Sequence, residues 1–140
     1  MKLLHNPWIR LSLLILWLGI VLVLTTQANY VPPLQRFLDR IVDTELGEKG
    51  GHAALFAILT LAFYLVGSAF VRPQWALWGS VIICIALSLF TELAQNPLPG
   101  RNGSISDFLA NLAGVFAVGY IIASVQIWRT ERILKRRPLS

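Results

Sequence analysis

Four long apolar runs govern what this 140-residue chain can become. They cover residues 9–26, 52–71, 75–93 and 108–128, and each approaches the ~20 helical residues needed to cross about 30 Å of hydrocarbon. Lipid offers no water to a loose backbone N–H or C=O, so all four segments are expected to be helices. The chain is 56% hydrophobic and 14% charged, roughly half the charged share of a soluble domain. The expectation is an all-α polytopic membrane protein, a bundle of four transmembrane helices forming a single domain over residues 1–140.

The first run carries features of a signal peptide, with Lys2 and Arg10 before Leu11 to Leu24 and then Thr26-Gln27-Ala28. Its apolar stretch is long for one, so it reads as a retained helix. The net charge of +5 does not point to nucleic acid, because the basic residues flank apolar runs instead of forming a face or arm. Cys84 is alone, which excludes an intrachain disulfide and a cysteine-based metal site.

Charge placement predicts orientation. Lys2, Arg10, Arg72, Arg129, Arg132, Lys135, Arg136 and Arg137 fall beside the N-terminus, the second loop and the C-terminus, which four crossings put on one side. By the positive-inside rule that side is cytoplasmic, with both termini there and the chain integral to the cytoplasmic (inner) membrane. Trp8, Trp75, Trp78 and Trp128 fall at the same helix ends, where indoles favour the headgroup zone. The basic tail, residues 129–140, reads as a helix end held at an anionic leaflet.

Between the first two runs, Pro32 and Pro33 precede Leu34, Phe37, Leu38, Ile41 and Val42. Their spacing predicts a short amphipathic helix over about 33–46, lying on the outer surface or capping the bundle mouth. Gly47, Gly50 and Gly51 then suggest a sharp turn into the membrane. The Arg72-Pro73-Gln74 connection is short enough to make the second and third runs an antiparallel hairpin.

One end of this topology collects the polar residues. Lys49 and His52 precede or open the second span. Glu92 and Gln95 stand a turn apart at the end of the third, and the Asn96–Ser104 loop delivers Arg101. Ser106, Asp107 and Asn111 open the last span, with Asp107, Asn111 and Gly114 on one helical face. A charged side chain near hydrocarbon costs roughly 2.5–3.5 kcal/mol even on the lenient insertion scale, so such groups usually face the bundle interior and pair. Glu92 is expected to pair with Arg101, Lys49 or His52. Asp107 and Ser104 also read as helix-capping residues, and Asn111, Gln95, Ala110, Gly114 and Ala117 as interhelical packing residues.

At these residues the pattern resembles the VanZ-like family, small membrane proteins named for a teicoplanin-resistance accessory protein. The matching residues are Lys49-x-x-His52 with Phe56, Glu92-x-x-Gln95, Arg101, Ser106-Asp107, Asn111 and Gly114. Glu48 stands where the family commonly has Asp. The resemblance covers about residues 47–120 and implies a multi-helix membrane protein with a link to glycopeptide resistance. It implies no settled activity or substrate.

The residues themselves favour recognition or processing of an anionic lipid or envelope-glycan head group at the outer leaflet. In this reading Lys49 and Arg101 hold a phosphate or carboxylate, with Gln95, Asn111 and Ser106 as further binding groups. Glu92, His52 and Asp107 are the candidates for catalysis, with protons handled by Glu92 and His52. An enzyme would be a transferase or hydrolase acting on a lipid-linked phosphate, but no nucleophile elbow or paired-histidine signature is present. No cofactor or metal is expected, although His52, Glu92 and Asp107 could offer ligands. Two alternatives stay open. One is a non-enzymatic accessory or lipid-movement protein; the other is a small proton-coupled carrier, which would need to form a homo-oligomer. Membrane lipids are the expected partners.

Overall fold

The computed structural model describes residues 6–24, 44–95 and 104–135. Helix α1 runs Pro7–Leu22, α2 Glu45–Gly67, α3 Pro73–Gln95 and α4 Ile105–Lys135. Three of these, α2, α3 and α4, are long and apolar enough to cross a membrane. The expectation of four full-length spans is met by three helices among the described residues; α1 has 16 residues there, about 24 Å, and positions 25 and 26 of its run lie outside them. The short helix of this fold is therefore α1, at the N-terminal end. No separate helix between α1 and α2 is seen among the described residues, and positions 33–43 of the expected amphipathic helix lie outside them.

Local chemistry sets the boundaries. Asn6 caps α1 by accepting from the Trp8 N–H at 3.0 Å, and Pro7 occupies the first turn, where its missing N–H costs nothing. Thr44 caps α2, its Oγ1 accepting from Gly47 N at 3.0 Å. Because this cap precedes Glu45, the last two positions assigned to the amphipathic helix and all three turn glycines belong to the opening of α2. The turn expected at Gly47, Gly50 and Gly51 is thus replaced by continuous helix. A satisfied N-cap outweighs the modest helix-weakening effect of glycine.

At its other end α2 stops at Gly67, where Val71 N and Phe70 N both donate to Gly67 O at 2.9 Å. Pro73 then starts α3 after only five intervening residues, giving the expected antiparallel hairpin. Helix α4 is longer than its apolar run, with 31 residues. The segment read as a basic tail therefore stays helical to Lys135, and Arg132 stacks over the Trp128 ring at 3.7 Å.

Hydrogen bonds between helices define their directions. Arg10 Nη1 donates to Leu65 O at 2.9 Å and Trp17 Nε1 to Leu55 O at 3.4 Å, so α1 lies antiparallel on α2. Gln126 Nε2 donates to Tyr64 Oη at 3.2 Å and to Pro73 O at 3.3 Å. That amide ties α2, α3 and α4 at one end of the bundle. Helices α2 and α4 run parallel, with both beginning at the opposite, polar end.

The packing is inverted relative to a water-soluble bundle. Phe56, Leu59, Cys84 and Val115 are wholly buried, yet Ile82, Phe90, Leu93, Phe116 and Tyr120 point outward. Thr60, Ser80 and Thr91 lie inside, and each turns its hydroxyl back to a carbonyl of its own helix. Exposed large apolar side chains around buried polar ones are what lipid as solvent requires. The structure describes an integral membrane protein.

The backbones of α2 and α4 approach closely at Gly114. A Cβ there would overlap the Ala53 carbonyl oxygen and lie 2.8 Å from its carbon. This supports the packing role read from the sequence for Gly114, whereas Ala117 faces outward. Gly114→Ala is expected to lower stability by about 1–3 kcal/mol through overpacking. Gly79→Ala, with nothing within 4 Å of the added carbon, is expected to leave stability unchanged or slightly raised. Thermal unfolding in detergent, followed by circular dichroism, measures both; equal midpoints would contradict the close approach.

Candidate functional site

At the polar end, three helices present the side chains that the sequence grouped. The early start of α2 puts Lys49 and His52 one turn apart within regular helix, with Ala53 and Phe56 continuing the same face. Glu92 and Gln95 occupy the last turn of α3, and Asp107 and Asn111 the first two turns of α4. Close contact at Gly114 brings the α2 and α4 faces within side-chain reach.

Two linked sets of bonds result. Lys49 Nζ pairs with Asp107 Oδ1 at 3.0 Å, the lysine partly exposed and the aspartate mostly covered. Beside this pair, Glu92 accepts two hydrogen bonds. The Ser104 backbone N–H donates to Oε2 at 3.1 Å and Asn111 Nδ2 to Oε1 at 3.2 Å. Asn111 Oδ1 lies 3.1 Å from His52 Nδ1. Glu92 is 6% exposed, Asp107 8% and Asn111 0%, so these groups meet largely away from solvent.

This network assigns a proton. Asn111 turns its NH2 group to Glu92, which leaves its carbonyl oxygen toward His52. An amide oxygen can only accept, so His52 Nδ1 carries the hydrogen and, in the neutral ring, Nε2 keeps its lone pair. His52 is thereby oriented through Asn111 by Glu92, as an imidazole is oriented in catalytic or metal-binding sites by a partner on its far nitrogen.

The expected pairing of Glu92 with Lys49 or His52 is corrected here. Lys49 bonds Asp107 instead, while each Glu92 oxygen is taken by a donor at the start of α4. Glu92 is joined to His52 by hydrogen bonds through Asn111, with the two side chains close enough to interact electrostatically. Arg101, the third expected partner, lies outside the described residues.

Gln95 is buried at the end of α3. Ser106 is exposed, its Oγ 2.6 Å from Ser104 Oγ. Two features were not legible in the sequence. The Ser104 N–H depends on the loop path, and the Ser88 hydroxyl is buried without a hydrogen-bond partner. Glu48, named in the sequence only at the family's acidic position, has its carboxylate with ligand atoms of His52 and Asp107 within 4.8 Å of one another. Its spacing of four residues from His52 was a further signal for that grouping.

The model of the VanZ/LLP1 family matches residues 11–129. The chain belongs to the VanZ/LLP1 family. The match takes in α2 and α3, most of α1 and α4 and every described residue of the polar cluster, so this VanZ/LLP1 protein carries its buried network within the family's own domain. No curated protein and no solved structure matches the chain.

The Asn111 amide is expected to act as one unit with Glu92. Asn111→Ala strands a buried carboxylate oxygen, with a cost of about 1–3 kcal/mol, and Glu92→Gln sets an amide NH2 against one of two donors. In a double-mutant cycle the two changes should be coupled by at least about 0.5 kcal/mol. Additive losses in thermal unfolding would show that the two side chains act independently.

Proposed function

We propose that this VanZ/LLP1 protein recognises or processes an anionic lipid or envelope-glycan head group at the outer leaflet, with the polar end of the bundle as the site. The observation that carries the reading is the buried Glu92–Asn111–His52 chain beside the Lys49–Asp107 pair. The Glu92–Asn111 contact is enough to set helix register, so the His52 ring and the Lys49–Asp107 pair beside it exceed what helix association requires. Ionised groups gathered at the rim of a lipid-facing bundle suit a ligand that is itself part polar and part lipid.

In this reading the polar end faces outward because the basic helix ends lie at the other, cytoplasmic side of an inner membrane. Lys49 and Arg101 hold the phosphate or carboxylate, Arg101 from the loop that ends at Ser104. Gln95, Asn111 and Ser106 add polar contacts. His52, with its Nε2 lone pair, accepts a proton from the ligand or from water, and Glu92 stabilises the resulting imidazolium through Asn111. Asp107 positions Lys49. If a bond is broken, a transfer or hydrolysis at a lipid-linked phosphate suits this equipment.

Native mass spectrometry of the protein purified with its co-purifying lipids tests the binding step. Arg101→Ala and Lys49→Met are each expected to reduce retention of anionic lipids about tenfold, a loss of about 1.4 kcal/mol, and to leave zwitterionic lipids unaffected. Equal retention of anionic lipids by the wild type and both variants would overturn the proposal. Added lipid-linked phosphate then separates processing from recognition: an enzyme converts it and loses turnover in a folded Glu92→Gln variant, whereas a binding protein retains it unchanged.

A further inference from the structure

The polar cluster holds more negative than positive charge among its described members. Glu48, Glu92 and Asp107 face a single described cation, Lys49, and the two carboxylates nearest the bundle mouth, Glu48 and Asp107, share their space with His52. One ligand atom from each of these three residues lies within 4.8 Å of the others. They come from two helices whose spacing is held by the Gly114 approach.

We infer that Glu48, His52 and Asp107 form a binding site for a first-row divalent cation such as Zn²⁺ or Mn²⁺. An imidazole with two carboxylates is an ordinary donor set for these ions, and three protein ligands leave positions open for water or a ligand oxygen. Bonds to such a metal are about 2.0–2.2 Å long, so the three atoms must draw together by roughly an ångström. Glu48 is exposed on the first turns of α2 and can move that far by a rotamer change.

A second observation, outside the three ligands, supports the site. Asn111 engages His52 Nδ1 at 3.1 Å and is itself fixed by Glu92 at 3.2 Å. That arrangement commits Nδ1 as a donor and leaves Nε2 as the nitrogen able to ligate, which is the support that metal-bound histidines characteristically receive from their surroundings. Lys49 bonds Asp107 through Oδ1, and a carboxylate offers a second oxygen. The ammonium and the metal therefore share Asp107, so the lysine opposes the metal's charge without blocking every donor.

This inference rests on the head-group proposal and changes one step of it: a metal on Nε2 takes up the lone pair that would otherwise accept a proton, and with its open positions it supplies the positive charge that an anionic head group meets in a cluster otherwise rich in carboxylates. It is nevertheless tested without any lipid ligand. Chelator-treated full-length protein in detergent is titrated calorimetrically with Zn²⁺ and, separately, with Mn²⁺, while Co²⁺ absorption reports the ligand field. One saturable site per chain is expected, with Co²⁺ bands displaced by Zn²⁺. Glu48→Gln, at an exposed position that the fold does not depend on, is expected to weaken binding at least tenfold, and His52→Ala more than that.

Lys49→Met should tighten binding, since it removes the competing cation. No saturable site in the wild type, or unchanged affinity in Glu48→Gln, would overturn the inference. Intact metal binding with no anionic lipid retained would overturn the head-group reading alone.

Discussion

A carboxylate placed inside a lipid-facing bundle must find donors within the protein, and Glu92 finds two: a backbone N–H at the threshold of α4 and a side-chain amide one turn along it. Leaving it unmatched would be costly in a medium with no water to substitute. The register of α3 against α4 therefore follows from one acid, since sliding either helix by a turn would separate Glu92 from both donors. The same amide reaches across to α2 through His52, so the mutual placement of all three long helices depends on this buried contact.

Packing serves that arrangement more than it drives it. In lipid there is little hydrophobic gain from bringing helices together, and association relies on close van der Waals contact and interhelical hydrogen bonds. Gly114 allows the first by removing the one side chain that would hold α2 and α4 apart. The Asn111 and Gln126 amides supply the second, near opposite ends of α4. Between these two ties lies the apolar core around Phe56, Leu59, Cys84 and Val115, with the hydroxyls of Thr60, Ser80 and Thr91 closed back onto their own helices.

Hydropathy made three long helices legible, because a run of about twenty apolar residues has few other fates. Among the described residues the first run gives only a short helix, Pro7–Leu22, and hydropathy misjudged the opening of α2. There the glycines at 47, 50 and 51 signalled a turn more loudly than Thr44 signalled a cap. Recognition of the VanZ-like pattern rested on side chains at the ends of helices, and the family match to residues 11–129 bears it out. Helical spacing also grouped Asp107 with Asn111 and Gly114, all buried on one helix in the structure. The partners within the group were beyond the sequence, because whether Lys49 meets Glu92 or Asp107 depends on the relative depth and rotation of separate helices. The Ser104 contact depends on a loop path that no periodicity encodes.

The parallel course of α2 and α4 has an electrostatic consequence. Every peptide unit is a small dipole, and along a helix they sum to roughly half a positive charge at the start and half a negative one at the finish. At the polar end the starts of α2 and α4 meet the finishes of α1 and α3, and at the other end the order is reversed, so the half-charges nearly cancel over the bundle as a whole. What survives is local: Glu48 and Asp107 stand in first turns, where the backbone field favours an acid, and Arg132 and Lys135 in the last turn of α4, where it favours a base.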